Sequence, residues 1–358
     1  MTRSADYRPA WVCPPGATVR ELARKKQVSP ASLAGKLGLS DSDLPRLLDG
    51  DLPMTATQAE KLATHIGASQ RFWLAREAQY RQNLQLLKVE SREWVSSLPF
   101  ADMAKFGWLN AANSAAEKLQ YAFNFFGVSS VDEWRETWLS DRAGITAYRR
   151  SPTFATQAAS AAAWLRQGEL AAEQLQTVSW SRENFELMLP KLKPLTRVSE
   201  PIKFLPQLQS LCASCGVAVV IIRTPKGCPA SGATRVKNGQ AILQLSFRYL
   251  RDDSFWFTFF HEAGHLILHG SRLFMESSGQ QLDEQEEKEA NDFAGRLLIP
   301  PTHEADLRRL PHEYKSIMRF ARDLAVSPGI VVGQLQYRGL VRPDKLNFLK
   351  KRYSWEAC

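Results

Sequence analysis

The sequence predicts a protein that is mainly α with a small β-sheet, an α+β fold. Apolar residues recur at helical spacing through residues 16–84, helical segments rich in aromatic residues continue to residue 200, and short runs with strand character appear only after Pro201. With 358 residues, 44% of them hydrophobic and 23% charged, the chain has the composition of a globular protein with more than one domain. We expect domains at residues 1–84, 85–200 and 201–358.

Composition also excludes several classes of protein. A disordered chain would bury too little apolar surface, and no stretch approaches the roughly 18 uncharged apolar residues of a membrane span. Residues 1–16 lack the apolar core of a secretory signal, so we expect a cytoplasmic protein without membrane contact. The five cysteines are odd in number and widely spaced, which argues against a disulfide framework. Cys212 and Cys215 are expected to be buried thiols.

Residues 29–50 have the layout of a helix-turn-helix. Ser29 can cap a helix that begins at Pro30, Gly38 permits a tight turn, and Ser40 can cap a second helix that starts at Asp41. This second helix would be the one that enters a DNA major groove. Short helix pairs with a glycine turn also occur in protein interaction modules, and that alternative stays open.

A longer pattern surrounds this helix pair. It consists of Leu33-Ala34, Leu37-Gly38-Leu39-Ser40, Leu47-Leu48-x-Gly50, Ala59-x-x-Leu62-Ala63, Gly67, Phe72-Trp73-Leu74 and Tyr80. With these residues the segment resembles the DNA-binding domains of the XRE class, most closely the HigA antitoxin type. The resemblance implies DNA contacts from the second helix, and we assign them to Ser40, Ser42 and Arg46. Asp41 and Asp43 would repel phosphates there, so we expect weak, salt-sensitive DNA binding.

Residues 85–200 contain no catalytic motif, and their tryptophans are expected in the core because aromatic side chains bury large areas. These are Trp94, Trp108, Trp134, Trp138, Trp164 and Trp180. Beyond them the pattern predicts, in order, a helix around Phe204–Cys215, strands at Val217–Ile222 and Ala241–Ser246, and a long helix from Asp252 to about His269.

The long helix contains His261-Glu262-Ala-Gly-His265. Histidines four residues apart lie one above the other on a helix face, so both imidazoles can reach one zinc ion. Glu262 is placed to take a proton from an attacking water molecule. The helix is apolar nearly all round, and ionisable groups in such a helix need a partner such as a metal. The sequence therefore predicts a zinc site with Glu262 as the catalytic base.

A catalytic zinc needs a third protein ligand. His269 lies about 12 Å along the helix from His261 and cannot join it on one ion. Glu287 lies on the inward side of a second predicted helix, which Pro300 and Pro301 stop, whereas Glu289 points outward. We assign Glu287 as the ligand, with Glu286 as the alternative. Asn291, one turn beyond Glu287, is expected to hold a ligating histidine by a hydrogen bond.

These residues carry a second resemblance, over roughly residues 201–352. The matching segments are Gly232-Ala-Thr-Arg235, Ile242-Leu-Gln-Leu-Ser246, Phe255 to His265, Glu287-x-Glu-Ala-Asn-x-Phe-Ala294, Leu297-Leu-Ile-Pro300, Val326 to Gly333 and Leu335-Gln336. They resemble the ImmA/IrrE family of zinc metallopeptidases. The resemblance implies a gluzincin-like endopeptidase in which HExxH and a downstream glutamate bind zinc. It further implies that the peptidase cleaves an XRE-type repressor and thereby regulates transcription in stress, phage or mobile-element responses.

The net charge is +9, and Lys and Arg far outnumber Asp and Glu between Arg308 and Arg352. The composition of this basic tail is about equally typical of a segment that contacts DNA and of a solvated basic surface. The expected partners are a protein substrate, DNA through the helix-turn-helix and the tail, and a second copy of the chain. Two other functions stay open: a DNA-binding regulator or HigA-like antitoxin whose zinc domain is a sensor or structural module, and zinc hydrolysis of a small molecule.

Overall fold

The computed structural model describes residues 13–112, 114–139, 152–270, 274–277 and 284–355. Contacts between Cα atoms divide the chain into two compact units. The first comprises the described residues of Met1–Trp94 together with Ser130–Asp132, and the second comprises those of Val95–Ser129 and Glu133–Cys358. Within the described residues, no helix is long and apolar enough to cross a membrane.

The first unit is built from helices. They are α1 (Pro15–Lys25), α2 (Pro30–Leu37), α3 (Asp43–Asp49), α4 (Ala56–His65) and most of α5 (Gln70–Ser97). Leucines at helical spacing, among them Leu33, Leu37 and Leu62, form its core together with the fully buried Trp73. The indole Nε1 of Trp73 donates to the carbonyl of Gly67 over 3.0 Å, which satisfies its polar atom inside the core.

The turn between α2 and α3 differs in detail from the prediction. Gly38 has a φ of 72°, a left-handed conformation that favours glycine, as expected. The second helix begins at Asp43 and not at Asp41, because Asp41 and Ser42 form a turn. The hydroxyl of Ser40 still accepts a hydrogen bond from the backbone N–H of Asp43 over 3.1 Å.

Further helices connect α5 to the sheet. They are α6 (Phe100–Lys105), α7 (Ala115–Phe126), α8 (Val131–Trp138), α9 (Pro152–Glu173) and α10 (Arg182–Leu192). Four of the six tryptophans predicted in the core are buried: Trp94, Trp134, Trp138 and Trp164. Trp108 and Trp180 are only half-buried, and of the two Trp180 packs against the core around the sheet. Trp108 lies outside the helices and stacks on Phe125 with ring centroids 6.4 Å apart, and Trp180 packs edge-on against Phe185.

The α+β part of the chain surrounds a four-stranded sheet. In order, its elements are α11 (Pro201–Ala213), β1 (Val217–Ile221), β2 (Ala230–Lys237), β3 (Gln240–Leu245), α12 (Asp252–Leu268) and β4 (Phe274–Ser277). The strand order is β1-β3-β2-β4, with β1 parallel to β3 and β2 antiparallel to both β3 and β4. The mainly helical α+β class is confirmed, as are β1, β3 and α12, whereas β2 and β4 were not predicted.

Helix α12 is the centre of the second hydrophobic core. Phe255, Trp256, Phe259 and Phe260 are all at most 3% exposed, so this helix is buried on nearly every side. The indole Nε1 of Trp256 donates to the hydroxyl of Tyr353 over 3.2 Å, which ties the helix to the end of the described chain. A helix held on all sides has little freedom to move, and it therefore fixes whatever side chains it carries.

The chain ends in helices α13 (Glu284–Leu298), α14 (Glu304–Arg308), α15 (Tyr314–Asp323) and α16 (Pro328–Tyr337). Helix α13 ends before Pro300, as predicted. Part of the positive charge of the basic tail is neutralised within the fold. The ammonium of Lys350 lies 2.6 Å from the carboxylate of Asp253, and the guanidinium of Arg338 lies 3.2 Å from that of Glu304.

The cysteine prediction holds for the described residues. Cys212 and Cys215 are at most 2% exposed and unpaired in disulfides. Burial raises the pKa of the Cys212 thiol, which leaves it protonated and unreactive at neutral pH. Cys358 lies outside the described residues.

Candidate metal centre

The two histidines of the HEAGH segment converge in the core. Because they are four residues apart on α12, His261 and His265 project from the same face of the helix, and each is 1% exposed. Their Nε2 atoms lie 3.1 Å apart. Two buried ring nitrogens that face each other at this distance require a proton or a metal ion between them.

Glu287, carried by α13, completes a cluster of three donors. Its Oε2 lies 3.4 Å from Nε2 of His261, and its Oε1 lies 3.3 Å from Nε2 of His265. Among the described residues, His261, His265 and Glu287 form the group of histidine, cysteine and carboxylate side chains whose donor atoms lie close enough together to bind one metal ion. Glu286, the alternative ligand, is not part of the cluster.

The donor set fits zinc. Zinc prefers imidazole and carboxylate ligands at about 2.0–2.2 Å in a tetrahedron, which places neighbouring donor atoms about 3.3–3.6 Å apart. The three separations in the cluster, 3.1, 3.3 and 3.4 Å, lie close to that edge length. Three protein ligands leave the fourth position for a water molecule or a substrate, as a catalytic site requires.

The protonation states also favour a cation. Burial alone would raise the pKa of Glu287, but interactions with His261 and His265 outweigh burial and hold the pKa at about 2, so the carboxylate stays ionised. These interactions act through a proton on Nε2 of the histidines, at the position that a metal cation would take. Burial lowers the pKa of His265 and therefore favours release of that proton. A neutral imidazole and an ionised carboxylate are the forms in which these side chains bind metal.

Asn291 lies where the sequence predicted, one turn along α13 from Glu287. Its Oδ1 is 3.1 Å from Nδ1 of His261. Because an amide oxygen only accepts hydrogen bonds, Nδ1 of His261 carries the proton, and Nε2 offers its lone pair to the cluster.

His265 is oriented by two residues that the sequence reasoning left out of the site. Its Nδ1 lies 3.0 Å from Nδ1 of His269, and Nε2 of His269 lies 3.1 Å from Oε2 of Glu289. His269 is indeed not in the cluster, and Glu289 does reach toward solvent, but the two form a chain that ends on His265. The signal available in the sequence was the spacing of four residues between His265 and His269.

Glu262 is 0% exposed and lies against strand β2. A Cβ atom added at Gly232 would lie 2.5 Å from its Oε1, so the carboxylate occupies the space that a side chain on β2 would need. Thr258, one turn earlier on α12, borders the same space. The carboxylate of Glu262, the candidate general base, is therefore held between helix α12 and strand β2 of the sheet.

The residues assigned to DNA contact lie on the surface of the first unit. Ser40, Ser42 and Arg46 are all exposed. The hydroxyls of Ser40 and Ser42 are 2.9 Å apart, and the guanidinium of Arg46 lies 3.2 Å from the carboxylate of Asp43. These contacts are local, and an incoming phosphate would have to compete with Asp43 for Arg46.

The comparison with known protein families covers the segment that contains this cluster. Residues 216–336, from the start of the sheet to α16, match the family model Peptidase_M78, described as an IrrE N-terminal-like domain. No curated protein matches the chain. The segment of the chain that carries His261, His265 and Glu287 is thus similar to the IrrE N-terminal-like domain, which supports a metallopeptidase function of the ImmA/IrrE kind.

Proposed function

We propose that this protein is a zinc-dependent, gluzincin-like endopeptidase. His261, His265 and Glu287 are the zinc ligands, and Glu262 is the general base. The observation that carries the proposal is the convergence of three donor atoms from helices α12 and α13 at the spacing of a zinc site, in a segment that matches a metallopeptidase domain.

The chain's own residues account for the steps of peptide hydrolysis. A bound zinc ion supplies Lewis acidity to the scissile carbonyl and to the attacking water. The carboxylate of Glu262 accepts the proton of that water and passes it to the nitrogen of the leaving amine. Asn291 and His269 hold the two imidazoles with Nε2 toward the cluster.

The proposed substrate is another protein, an XRE-type repressor. Its cleavage would release transcription in a response to stress, phage or mobile elements. Two features support this choice: the resemblance of the metal segment to the ImmA/IrrE peptidases, and the resemblance of the first unit to XRE domains of the HigA type. A chain that carries such a domain would bind the same DNA as the repressor that it cuts, or would pair with the repressor through their similar domains.

The test compares wild type with Glu262→Gln. This substitution keeps size and hydrogen bonding but removes the proton acceptor, so we expect zinc and fold to persist while hydrolysis falls by about 10²–10⁴-fold or more. Both proteins are incubated with the XRE-type repressor encoded nearest to this chain, with and without single-stranded DNA. Cleavage by wild type that a chelator blocks supports the proposal, whereas equal cleavage by both proteins rejects it.

A second candidate is a DNA-binding regulator or HigA-like antitoxin whose zinc segment is a sensor or structural module. The observation that favours it is the helix pair α2–α3, which is joined at a left-handed Gly38 and carries an exposed Arg46. If the helix pair reads bases, Arg46→Ala should reduce sequence specificity more than non-specific affinity. We expect instead weak binding that falls steeply with salt. A tight, sequence-specific complex at physiological salt, with normal regulation by Glu262→Gln in cells, would favour the regulator.

A further inference from the structure

Two arginines face each other where the segment after β3 meets the end of the described chain. Arg251, directly before α12, and Arg352 form an isolated antiparallel bridge. The backbone N–H of Tyr353 donates to the carbonyl of Leu250 over 2.9 Å, which holds the two segments side by side. Residues directly opposite each other in an antiparallel pair project their side chains to the same side. The two guanidinium groups therefore share one face of this pair, and both are exposed.

No described residue forms an ion pair with either of these arginines. The carboxylates next to them along the chain are engaged elsewhere. Asp252 is fully buried and its Oδ1 accepts a hydrogen bond from the backbone N–H of Lys351 over 2.9 Å, whereas Asp253 pairs with Lys350. Like charges directly opposite each other across a strand pair are destabilising. The arginine pair thus lowers stability in the free protein, and a bound polyanion would remove that repulsion.

Two exposed aromatic rings accompany the arginine pair. Phe348 is 72% exposed and follows Asn347, whose Oδ1 accepts a hydrogen bond of 3.5 Å from Arg251. Tyr249 is 57% exposed, and the guanidinium of Arg248 lies over its ring, 5.7 Å from the centroid. Arg248 is itself exposed and has no ion pair within the described part of the chain. The arginine–aromatic surface is defined as Arg248, Tyr249, Arg251, Phe348 and Arg352.

This combination of side chains fits a single-stranded nucleic acid. Arginines without protein counter-ions can neutralise phosphates, and the counterions that the strand releases drive the binding. Exposed aromatic rings stack on unpaired bases of any sequence, because every base has a flat face. A duplex keeps its bases stacked inside, and an acidic peptide offers carboxylates to the arginines but no bases to the rings. A single strand is therefore the ligand that uses both kinds of side chain.

We propose that the arginine–aromatic surface binds a single-stranded nucleic acid, with phosphates on the arginines and bases on Tyr249 and Phe348. The inference goes beyond the proposed endopeptidase function and does not depend on it, because Arg251 lies about 15 Å before His261 along α12. It places nucleic-acid contact apart from the helix pair α2–α3. It also adds Arg248 and Arg251, which lie outside the basic tail of Arg308–Arg352.

The experiment titrates the full, zinc-loaded chain into a labelled thymidine strand of about 20 nucleotides and follows fluorescence anisotropy over a range of salt concentrations. Each phosphate contact on a single strand contributes about 0.7 to the slope of log affinity against log salt. The double variant Arg251→Ala/Arg352→Ala should therefore flatten this slope by about 1.4 and weaken binding about 25-fold at about 0.1 M salt. Phe348→Ala should weaken binding by at least about fivefold through lost stacking. The double variant should keep or raise the melting temperature, because it removes a like-charge contact.

The controls lie on α15, within the basic tail. Lys315→Ala/Arg319→Ala removes two exposed cations that have no ion pair in the described chain, and Tyr314→Ala removes a ring that is 54% exposed. Both should leave the affinity nearly unchanged.

Three results would overturn the inference. An equal loss in the two double variants would show a diffuse attraction to the positive charge of the whole chain. A duplex of the same length that binds as tightly as the single strand would remove the role of the rings. Competition by poly-glutamate that is stronger than competition by unlabelled thymidine strand would assign the surface to an acidic protein instead.

Discussion

Nδ1 of His265 lies 3.0 Å from Nδ1 of His269, and this contact decides which nitrogen of His265 faces the metal centre. The carboxylate of Glu289 accepts a hydrogen bond from Nε2 of His269, so the remaining nitrogen of a neutral His269 can only accept. Nδ1 of His265 therefore carries the proton, and its Nε2 keeps a lone pair for zinc. Asn291 imposes the same tautomer on His261.

The first prediction follows from this chain of hydrogen bonds. His269→Ala removes the acceptor that orients His265, so zinc affinity should fall by about 10–100-fold, the usual cost of losing such a partner. Glu289→Gln should have a smaller effect in the same direction, because the amide oxygen can still accept from His269. Competition with a chromogenic chelator measures the affinity. His312→Ala, at an exposed histidine, is the control, and unchanged affinity in His269→Ala would contradict the role of the contact.

The second prediction concerns Gly232 of β2. A Cβ atom there would lie 2.5 Å from Oε1 and 2.6 Å from Cγ of Glu262, inside a packed core. Gly232→Ala must therefore displace the carboxylate, and a misplacement of this order should lower kcat by about 10²-fold. Overpacking should also reduce the free energy of unfolding by about 1–3 kcal/mol.

Gly35→Ala serves as its control, because nothing lies within 4 Å of a Cβ added at that position of α2. This substitution should stabilise the helix by about 0.5–1 kcal/mol and leave kcat unchanged. Activity of Gly232→Ala at the wild-type level would show that Glu262 has more freedom than its packing indicates.

The third prediction concerns pH and Asp252, at the start of α12. Burial raises the pKa of this fully buried carboxyl from 3.8 to about 6. A raised pKa means that folding opposes ionisation of this carboxyl. The free energy of unfolding is therefore highest below pH 4, and it falls by up to about 3 kcal/mol as the pH rises toward 6. Asp252→Asn removes that loss. Its free energy of unfolding, relative to wild type, should therefore increase between pH 4 and pH 7 in urea titrations.

Asp253→Asn, in contrast, should lower the free energy of unfolding. The carboxylate of Asp253 lies 2.6 Å from the ammonium of Lys350, and both side chains are nearly buried. Removing one partner leaves a buried charge without compensation, which costs about 3–5 kcal/mol. Two results would contradict this description of the start of α12. One is a difference in the free energy of unfolding between Asp252→Asn and wild type that does not change with pH, and the other is an unchanged free energy of unfolding in Asp253→Asn.

The sequence predicted the elements whose signals are local. Helix α12 was expected from Asp252 to about His269 and spans Asp252–Leu268. Its apolar character and the spacing of its histidines are visible within a single segment. The stop of α13 before Pro300 is equally local, because proline lacks the N–H that a helix needs.

Features that depend on distant contacts were missed. Strand β2 (Ala230–Lys237) begins with small residues of weak strand propensity, and it exists because β3 and β4 pair with it on both sides. The contact between His269 and Glu289 joins residues twenty positions apart, one directly after α12 and the other on α13, and no sequence pattern specifies the relative placement of these helices.

Zinc stoichiometry bears directly on the claim that His261, His265 and Glu287 form one metal site. Elemental analysis of protein purified without added metal should give about one zinc per chain for wild type and for Glu262→Gln. His261→Ala and His265→Ala should fall near zero, and Glu287→Ala should retain less than wild type while Glu286→Ala retains all of it. Full zinc content in the two histidine variants, or loss in Glu286→Ala with retention in Glu287→Ala, would contradict the assignment.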